Sequence, residues 1–146
     1  MILLDANLLI YAVDADSPRH VRARRWLEKT LSGETAVGLP WIVVLAFLRI
    51  TTRAGVLRRQ LDADQAVAYV DEWLKQPYVE LIGPREQHWS LLKTLLREVG
   101  AAGNLTSDAH LAALAIEGGY ELASTDHDFL RFSGLRLVNP LEVIED

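Results

Sequence analysis

Three short acidic stretches lie far apart in the chain: Leu4-Asp5-Ala6-Asn7, Ser107-Asp108-Ala109-His110 and Ser124-Thr125-Asp126-His127-Asp128. Each sets a carboxylate beside an apolar segment at a turn or helix start, where a charge is costly unless a cation, a proton or hydrogen bonds compensate it. An all-oxygen set of this kind suits hard divalent ions such as Mg²⁺ or Mn²⁺, which keep some of their waters and bridge readily to substrate phosphate. Taken singly, each acid also has a structural role open to it. Asp5 and Asp126 fit helix N-caps, and Asp108 in a first helical turn complements a helix dipole. Asp128, two residues beyond Asp126, either adds a ligand, directly or through water, or caps the helix that follows. Convergence of acids from three separate segments is what would distinguish a metal site from three caps.

The elements that must bring them together follow from the hydrophobic pattern. Short apolar runs alternate with longer segments of helical period, the pattern of an α/β domain with a parallel sheet covered on both faces. Strands are predicted at Ile2 to Leu4, Thr35 to Leu39, Val79 to Ile82, Glu121 to Ser124 and Arg136 to Val138. Helices are predicted from about Ala6 to Val13, Pro18 to Leu31, Trp41 to Arg53, Ala63 to Lys75, Glu86 to Val99, Ser107 to Glu117 and Asp128 to Phe132, with Gly100, Gly103, Gly118 and Gly119 as stops. No linker or repeat interrupts the pattern, so residues 1–146 are expected to form one domain. In open α/β sheets reactive groups gather beyond the carboxyl ends of the strands. Asp5 and Asp126 each follow a predicted strand and should emerge on that rim. Asp108 shares a stripe with Leu111, Ala112 and Ala115 at i+3, i+4 and i+7, so its helix face packs toward the sheet.

Composition limits the chemistry further. The 146 residues, half of them hydrophobic, suffice for one core, and the absence of cysteine excludes disulfides, thiolate zinc sites and thiol catalysis. A reducing cytoplasmic setting is the expectation. Fifteen basic residues against twenty acidic give a net charge of −5, so no global positive field draws a polyanion and nucleic-acid binding must be local. The longest apolar stretch, Ala36 to Leu48, is too short to span a bilayer, and no membrane association is expected. Asp5 interrupts the N-terminal apolar run and no basic region precedes it, so no secretory leader is expected and the mature chain should start at or near Met1. Ile42, Ala46, Arg49 and Arg53 follow helical spacing, and Arg49 is the candidate nucleic-acid contact, against the ordinary alternative of a solvated or paired arginine. Arg22, Arg24, Arg25, Arg58 and Arg59 read as solvated faces. The histidines at 20, 88, 110 and 127 have no zinc-ligand spacing, and His127 reads as a loop residue. Trp26, Trp41, Trp73 and Trp89 lie in predicted helices, where core or interface roles outrank base stacking. Such helices are candidates for pairing two copies or for receiving a partner segment in an apolar groove.

Together these stretches resemble the PIN-domain ribonucleases, in particular the VapC-type toxins of bacterial toxin–antitoxin pairs. The resemblance runs over essentially the whole chain. Its strongest parts are Leu-Leu-Asp-Ala-Asn at the start, Pro-Trp-Ile-Val-Val-Leu-Ala-Phe-Leu-Arg-Ile-Thr-Thr from Pro40, the helix start from Thr106 to Ala115, Ala-Ser-Thr-Asp-His-Asp-Phe from Ala123, and Asn139-Pro140-Leu141. It implies a three-layer domain with a central five-stranded parallel sheet, metal-dependent RNA cleavage leaving a 5′-phosphate and a 3′-hydroxyl, a cognate antitoxin and a homodimer. By motif, Asp5, Asp108 and Asp126 take metal-ligand positions with Mg²⁺ or Mn²⁺ as cofactor, and Asp128 completes the catalytic acids. Asn7 and Thr125 match positions that orient acids or waters. The resemblance implies that the metal lowers the pKa of a water set in line with a phosphodiester. One departure stands out: many members carry a glutamate in the middle helix where this chain has Ala46. Either Asp128 replaces it, the site uses fewer ligands, or activity is weak.

Two alternatives from other classes follow. A catalytically weakened module would bind RNA or antitoxin without cutting. A small-molecule phosphohydrolase with a strand-end aspartyl nucleophile is opposed by Asp5-Ala6-Asn7, because such enzymes typically need a second acid two residues after the nucleophile and a lysine near the later acids, and Asp5 has neither.

Overall fold

In the computed structural model, which describes residues 1–100 and 103–142, five short strands form one all-parallel sheet. They are β1 (Ile2–Leu4), β2 (Val37–Pro40), β3 (Val79–Ile82), β4 (Glu121–Ala123) and β5 (Arg136–Val138), in the spatial order β3-β2-β1-β4-β5. The sequence places α1 (Ala6–Val13) after β1, then α2 (His20–Leu31), α3 (Trp41–Thr52) after β2, α4 (Ala63–Leu74), α5 (His88–Val99) after β3, and α6 (Thr106–Gly118) before β4. Two 3₁₀ turns, Gly103–Leu105 and His127–Arg131, complete the described elements.

The inner strands β1 and β2 are apolar because they are covered on both faces, as the centre of a parallel sheet requires, whereas β3, β4 and β5 each expose one charged residue, Glu80, Glu121 and Arg136. Leu3, Leu4, Val37, Leu39, Leu122 and Ala123 are all fully buried. Gly38 in β2 shows how close that packing is: a Cβ there would sit 2.4 Å from a Leu3 methyl and 2.7 Å from Ile82. Alanines at 109, 112, 113 and 115 let α6 approach the sheet closely, and all four are fully buried.

The chain order fixes where a site must lie. From β1 the chain steps outward to β2 and β3 on one side, then crosses to β4 and β5 on the other. The direction reverses between β1 and β4, and such a switch point opens a crevice at the strand carboxyl ends. Asp5 ends β1 there and Asp126 lies just past β4. No helix among the described residues is long and apolar enough to cross a membrane.

Several boundaries differ from expectation for local reasons. β2 starts at Val37 and ends on Pro40, which leads directly into α3 as its N-cap. α2 begins at His20 rather than Pro18, because residues 17–20 are tied in turns, with Arg19 N donating to Ser17 Oγ and His20 N to Ser17 O. The segment predicted as a helix from Asp128 to Phe132 is instead the 3₁₀ turn His127–Arg131.

Candidate active site

Register alone brings the first and third acidic segments together. β1 pairs with β4 as Leu3↔Leu122 and Leu4↔Ala123, and the ladder continues with Asp5 N donating to Ala123 O at 3.0 Å. One residue further, Asp5 lies against Ser124. The buried Ser124 hydroxyl donates to Asp5 Oδ2 at 2.6 Å and accepts from Asp126 N at 3.0 Å. The other Asp5 oxygen accepts from Ala6 N at 2.7 Å. Asp5 is thus an N-cap of α1 and a member of the cluster at once. Ser124, read from the sequence as the last strand residue, is a site residue that sequence reasoning missed; its signal was the pairing of β1 with β4.

Asp126 likewise serves two purposes: its Oδ1 accepts from Asp128 N at 2.9 Å, shaping the 3₁₀ turn. Asp108 arrives on the first turn of α6, whose Leu111, Ala112 and Ala115 are buried as the stripe requires. One carboxylate oxygen from each of Asp108, Asp126 and Asp128 lies within 4.8 Å of the others. Asp5 stands outside that tight group but is coupled to it electrostatically, through Asp126 and Asp108.

The cluster is under electrostatic load. Burial, followed by the charges of Asp126, Asp5 and Asp128, pushes the Asp108 pKa from 3.8 to about 6. Burial also raises the Asp5 pKa, against the lowering effect of the Ser124 and Ala6 hydrogen bonds. Among the described residues no hydrogen bond compensates Asp108, which makes it the acid most dependent on a cation or a proton.

Asn7 and Thr125 meet across the crevice, with Asn7 Nδ2 donating to Thr125 Oγ1 at 2.9 Å. Asn7 Oδ1 is buried and has no hydrogen-bond partner. An unsatisfied buried acceptor costs about 1–3 kcal/mol, so this oxygen calls for a donor such as the water of a hydrated ion. The three clustered carboxylates of Asp108, Asp126 and Asp128 offer oxygen atoms only, the donor type that a hard divalent cation takes.

Arg49 is exposed on α3 and forms no ion pair or side-chain hydrogen bond among the described residues. Among the described ion pairs, the one that reaches a site acid is that of Arg131, whose Nε lies 3.9 Å from Asp128 Oδ1. Ala46 is half-buried against the core, and α3 contains no acid. His127, expected in a loop, is exposed at the first position of the 3₁₀ turn, 3.7 Å from Glu142.

Sequence spacing also concealed a second polar cluster. His88 Nε2 and His110 Nδ1 are 2.8 Å apart, and His88 Nδ1 lies 3.5 Å from the buried Glu117. Glu117 in turn accepts from the Arg85 and Gln87 backbone at the entry to α5. His88 uses opposite ring nitrogens toward its two neighbours, so the three groups form a chain rather than a common ligand point. Burial, then the nearby His88, lowers the His110 pKa.

Comparison with known proteins gives concordant matches. Residues 2–135 match the PIN domain. Ribonuclease VapC33 of Mycobacterium tuberculosis is 44% identical over 141 residues, covering 97% of this chain and 99% of the relative. Ribonuclease VapC37 of the same organism is 42% identical over 140 residues, 96% of this chain and 97% of the relative. Among solved structures, VapBC2 from Rickettsia felis, bound to a DNA fragment from its promoter, superposes with a TM-score of 0.68 at 22% identity, covering 95% of this chain and 98% of the other.

Proposed function

The chain belongs to the PIN-domain family, within its VapC group, and on that premise we propose that the carboxylate cluster at the β1–β4 switch point is the centre of a divalent-metal-dependent endoribonuclease. The observation that carries this reading is the meeting of Asp108, Asp126 and Asp128 within 4.8 Å beside the coupled Asp5, from three segments that share no local sequence. Asp5, Asp108 and Asp126 would hold Mg²⁺ or Mn²⁺, with Asp128 standing in for the acid that Ala46 lacks. A bound cation supplies Lewis acidity, lowering the pKa of a water and offsetting charge on a phosphodiester.

The chain's own residues do the remaining work. Ser124 fixes the Asp5 carboxylate and the start of the Asp126 segment with one hydroxyl. Thr125 holds Asn7 through its Nδ2, which leaves the buried Oδ1 unpartnered. Asp108, with its raised pKa, must lose any proton it carries before it can serve as a ligand, so cation binding and proton release are linked. Hydrolysis would leave a 5′-phosphate and a 3′-hydroxyl. The whole chain acts as one nuclease domain and a cytoplasmic toxin, held in check by a cognate antitoxin and paired as a homodimer.

The test is cleavage of a mixed RNA pool by antitoxin-free protein with Mg²⁺ or Mn²⁺ and with chelator, beside a folded Asp5→Asn variant. Cleavage that requires metal and vanishes in the variant is the expected result. Absence of cleavage by folded wild-type protein would favour the weakened binding module, a reading to which the acid-free α3 gives its weight.

A further inference from the structure

The 3₁₀ turn His127–Arg131 sorts its side chains by threes, because a 3₁₀ helix has 3.0 residues per turn and side chains at i and i+3 eclipse one another. Phe129 and the following Phe132 occupy one row, 1% and 3% exposed, and anchor the turn in the core. Asp128 and Arg131 occupy the next row, on the solvent side. With Phe129 and Phe132 fixed, Asp128 and Arg131 have a defined place beside the carboxylates. Arg131 is the one lysine or arginine that forms an ion pair with a site acid among the described residues; the other arginine and lysine pairs are Arg24–Glu28, Arg59–Asp16 and Lys75–Glu72.

Charge makes the position consequential. Asp5, Asp108, Asp126 and Asp128 outweigh the two positive charges of a divalent ion, so a phosphate approaching even the loaded site meets residual negative potential. An exposed ion pair contributes little to stability, so the fold does not need this arginine. The pair with Asp128 involves Nε, and among the described residues the two terminal guanidinium nitrogens donate to no protein group. They are free to present the planar fork that matches phosphate oxygens, on a side chain that is 60% exposed.

We infer that Arg131 is a substrate-binding residue, gripping a backbone phosphate of single-stranded RNA beside the scissile linkage. This rests on the nuclease reading above and deepens it. The arginine shares one turn with Asp128, and Asp126 caps that turn, so binding of the phosphate chain and its placement at the carboxylates are a single event.

The inference is tested with Arg131→Ala and Arg131→Lys, using Arg24→Ala on α2 as the control arginine and thermal melts to confirm folding. Binding of a short fluorescein-labelled single-stranded RNA is followed by anisotropy across salt concentrations, in an Asp5→Asn background with Mg²⁺ so that the RNA stays intact. Losing one phosphate contact should reduce the slope of log K against log salt by about 0.7. In otherwise wild-type protein, Arg131→Ala should raise KM about 3–10-fold, the size of one ordinary hydrogen bond lost at an exposed site, with kcat little changed. Arg131→Lys keeps the charge and should keep the slope while recovering only part of the affinity. An unchanged slope and KM in Arg131→Ala, with wild-type protein still cutting RNA, would overturn this inference alone. Salt-independent RNA binding, or none, overturns it as well. If wild-type protein cuts no RNA, the nuclease reading fails, while the slope difference still reports whether Arg131 contacts phosphate.

Discussion

Replacing Asp108 by asparagine should make the metal-free protein more stable and the metal-loaded protein relatively less so. The raised pKa means that ionised Asp108 destabilises the fold at neutral pH. A shift from 3.8 to about 6 corresponds, at 1.36 kcal/mol per unit, to about 3 kcal/mol for a fully shielded group. Asp108 is only half-buried, and solvent screening reduces this to about 1 kcal/mol. The amide keeps the shape and removes the charge, and no hydrogen bond to the carboxylate is lost. In chelator at pH 7.5, Asp108→Asn should therefore melt about 2–4 °C above wild type, the shift that 1 kcal/mol gives a domain of this size. The sign follows from linkage. The native carboxyl takes up its proton near pH 6 and the unfolded one near 3.8, so the wild-type penalty is complete above pH 6 and fades as pH falls through that window. The gap between the two proteins should close accordingly. Divalent cation reverses the order: at about a hundred times Kd it adds about 2.7 kcal/mol to the protein that binds it, and the variant should gain far less. Melting scans with chelator and with Mg²⁺ or Mn²⁺ decide the matter. A variant that melts at or below wild type in chelator, or gains as much from the ion, refutes the claim that this carboxylate is held in place for a cation.

Two further perturbations probe the groups around it. Ser124→Ala removes the donor to Asp5 and the acceptor for Asp126 N in a buried place, and should cost about 1–3 kcal/mol in urea unfolding together with most of the RNA cleavage; unchanged stability would count against that hydroxyl as the link between the segments. His110, held below its ordinary pKa of 6.5, takes up a proton in the unfolded state first. Stability should therefore decline as pH falls below about 6.5, and decline less in His110→Asn, as denaturant midpoints at pH 7.5 and 5.5 would show.

The sheet was legible because each strand is a short apolar run bounded by polar turns, and the acids at Asp5 and Asp126 were legible because they end such runs. Asp108 was legible through the buried stripe of α6. Relations that cross the chain without a local period were not. Ser124 became a site residue through the register of β1 against β4, which no single segment encodes. The His110–His88–Glu117 chain joins two helices through contacts between residues 22 and 29 positions apart, where ligand spacing is no guide. Arg131 was hidden because the segment around it was read as α-helical: at 3.6 residues per turn Asp128 and Arg131 are neighbours but not eclipsed, whereas the 3₁₀ turn stacks them and sends both phenylalanines inward. Arg49 drew notice through its helical spacing, but spacing carries no information about which arginine an ion pair ties to the acids.

Three of the four acids differ in how many of their oxygens the fold already occupies. Both Asp5 oxygens accept protein hydrogen bonds, from Ser124 and Ala6, so its carboxylate is fixed before any ion arrives. Asp126 has one oxygen committed to the Asp128 N–H. Asp108 has neither committed among the described residues, and it is the acid whose pKa is driven up to about 6. A preorganised site needs the first kind of ligand, because orientation settled by the fold does not have to be settled at binding. It needs the last kind as well, because an uncommitted carboxylate gains most when a cation arrives. The gradient from Asp5 through Asp126 to Asp108 thus runs from the sheet outward, and it predicts that ion affinity is more sensitive to loss of Asp108, whereas loss of Ser124 disturbs the geometry in which the ion is held.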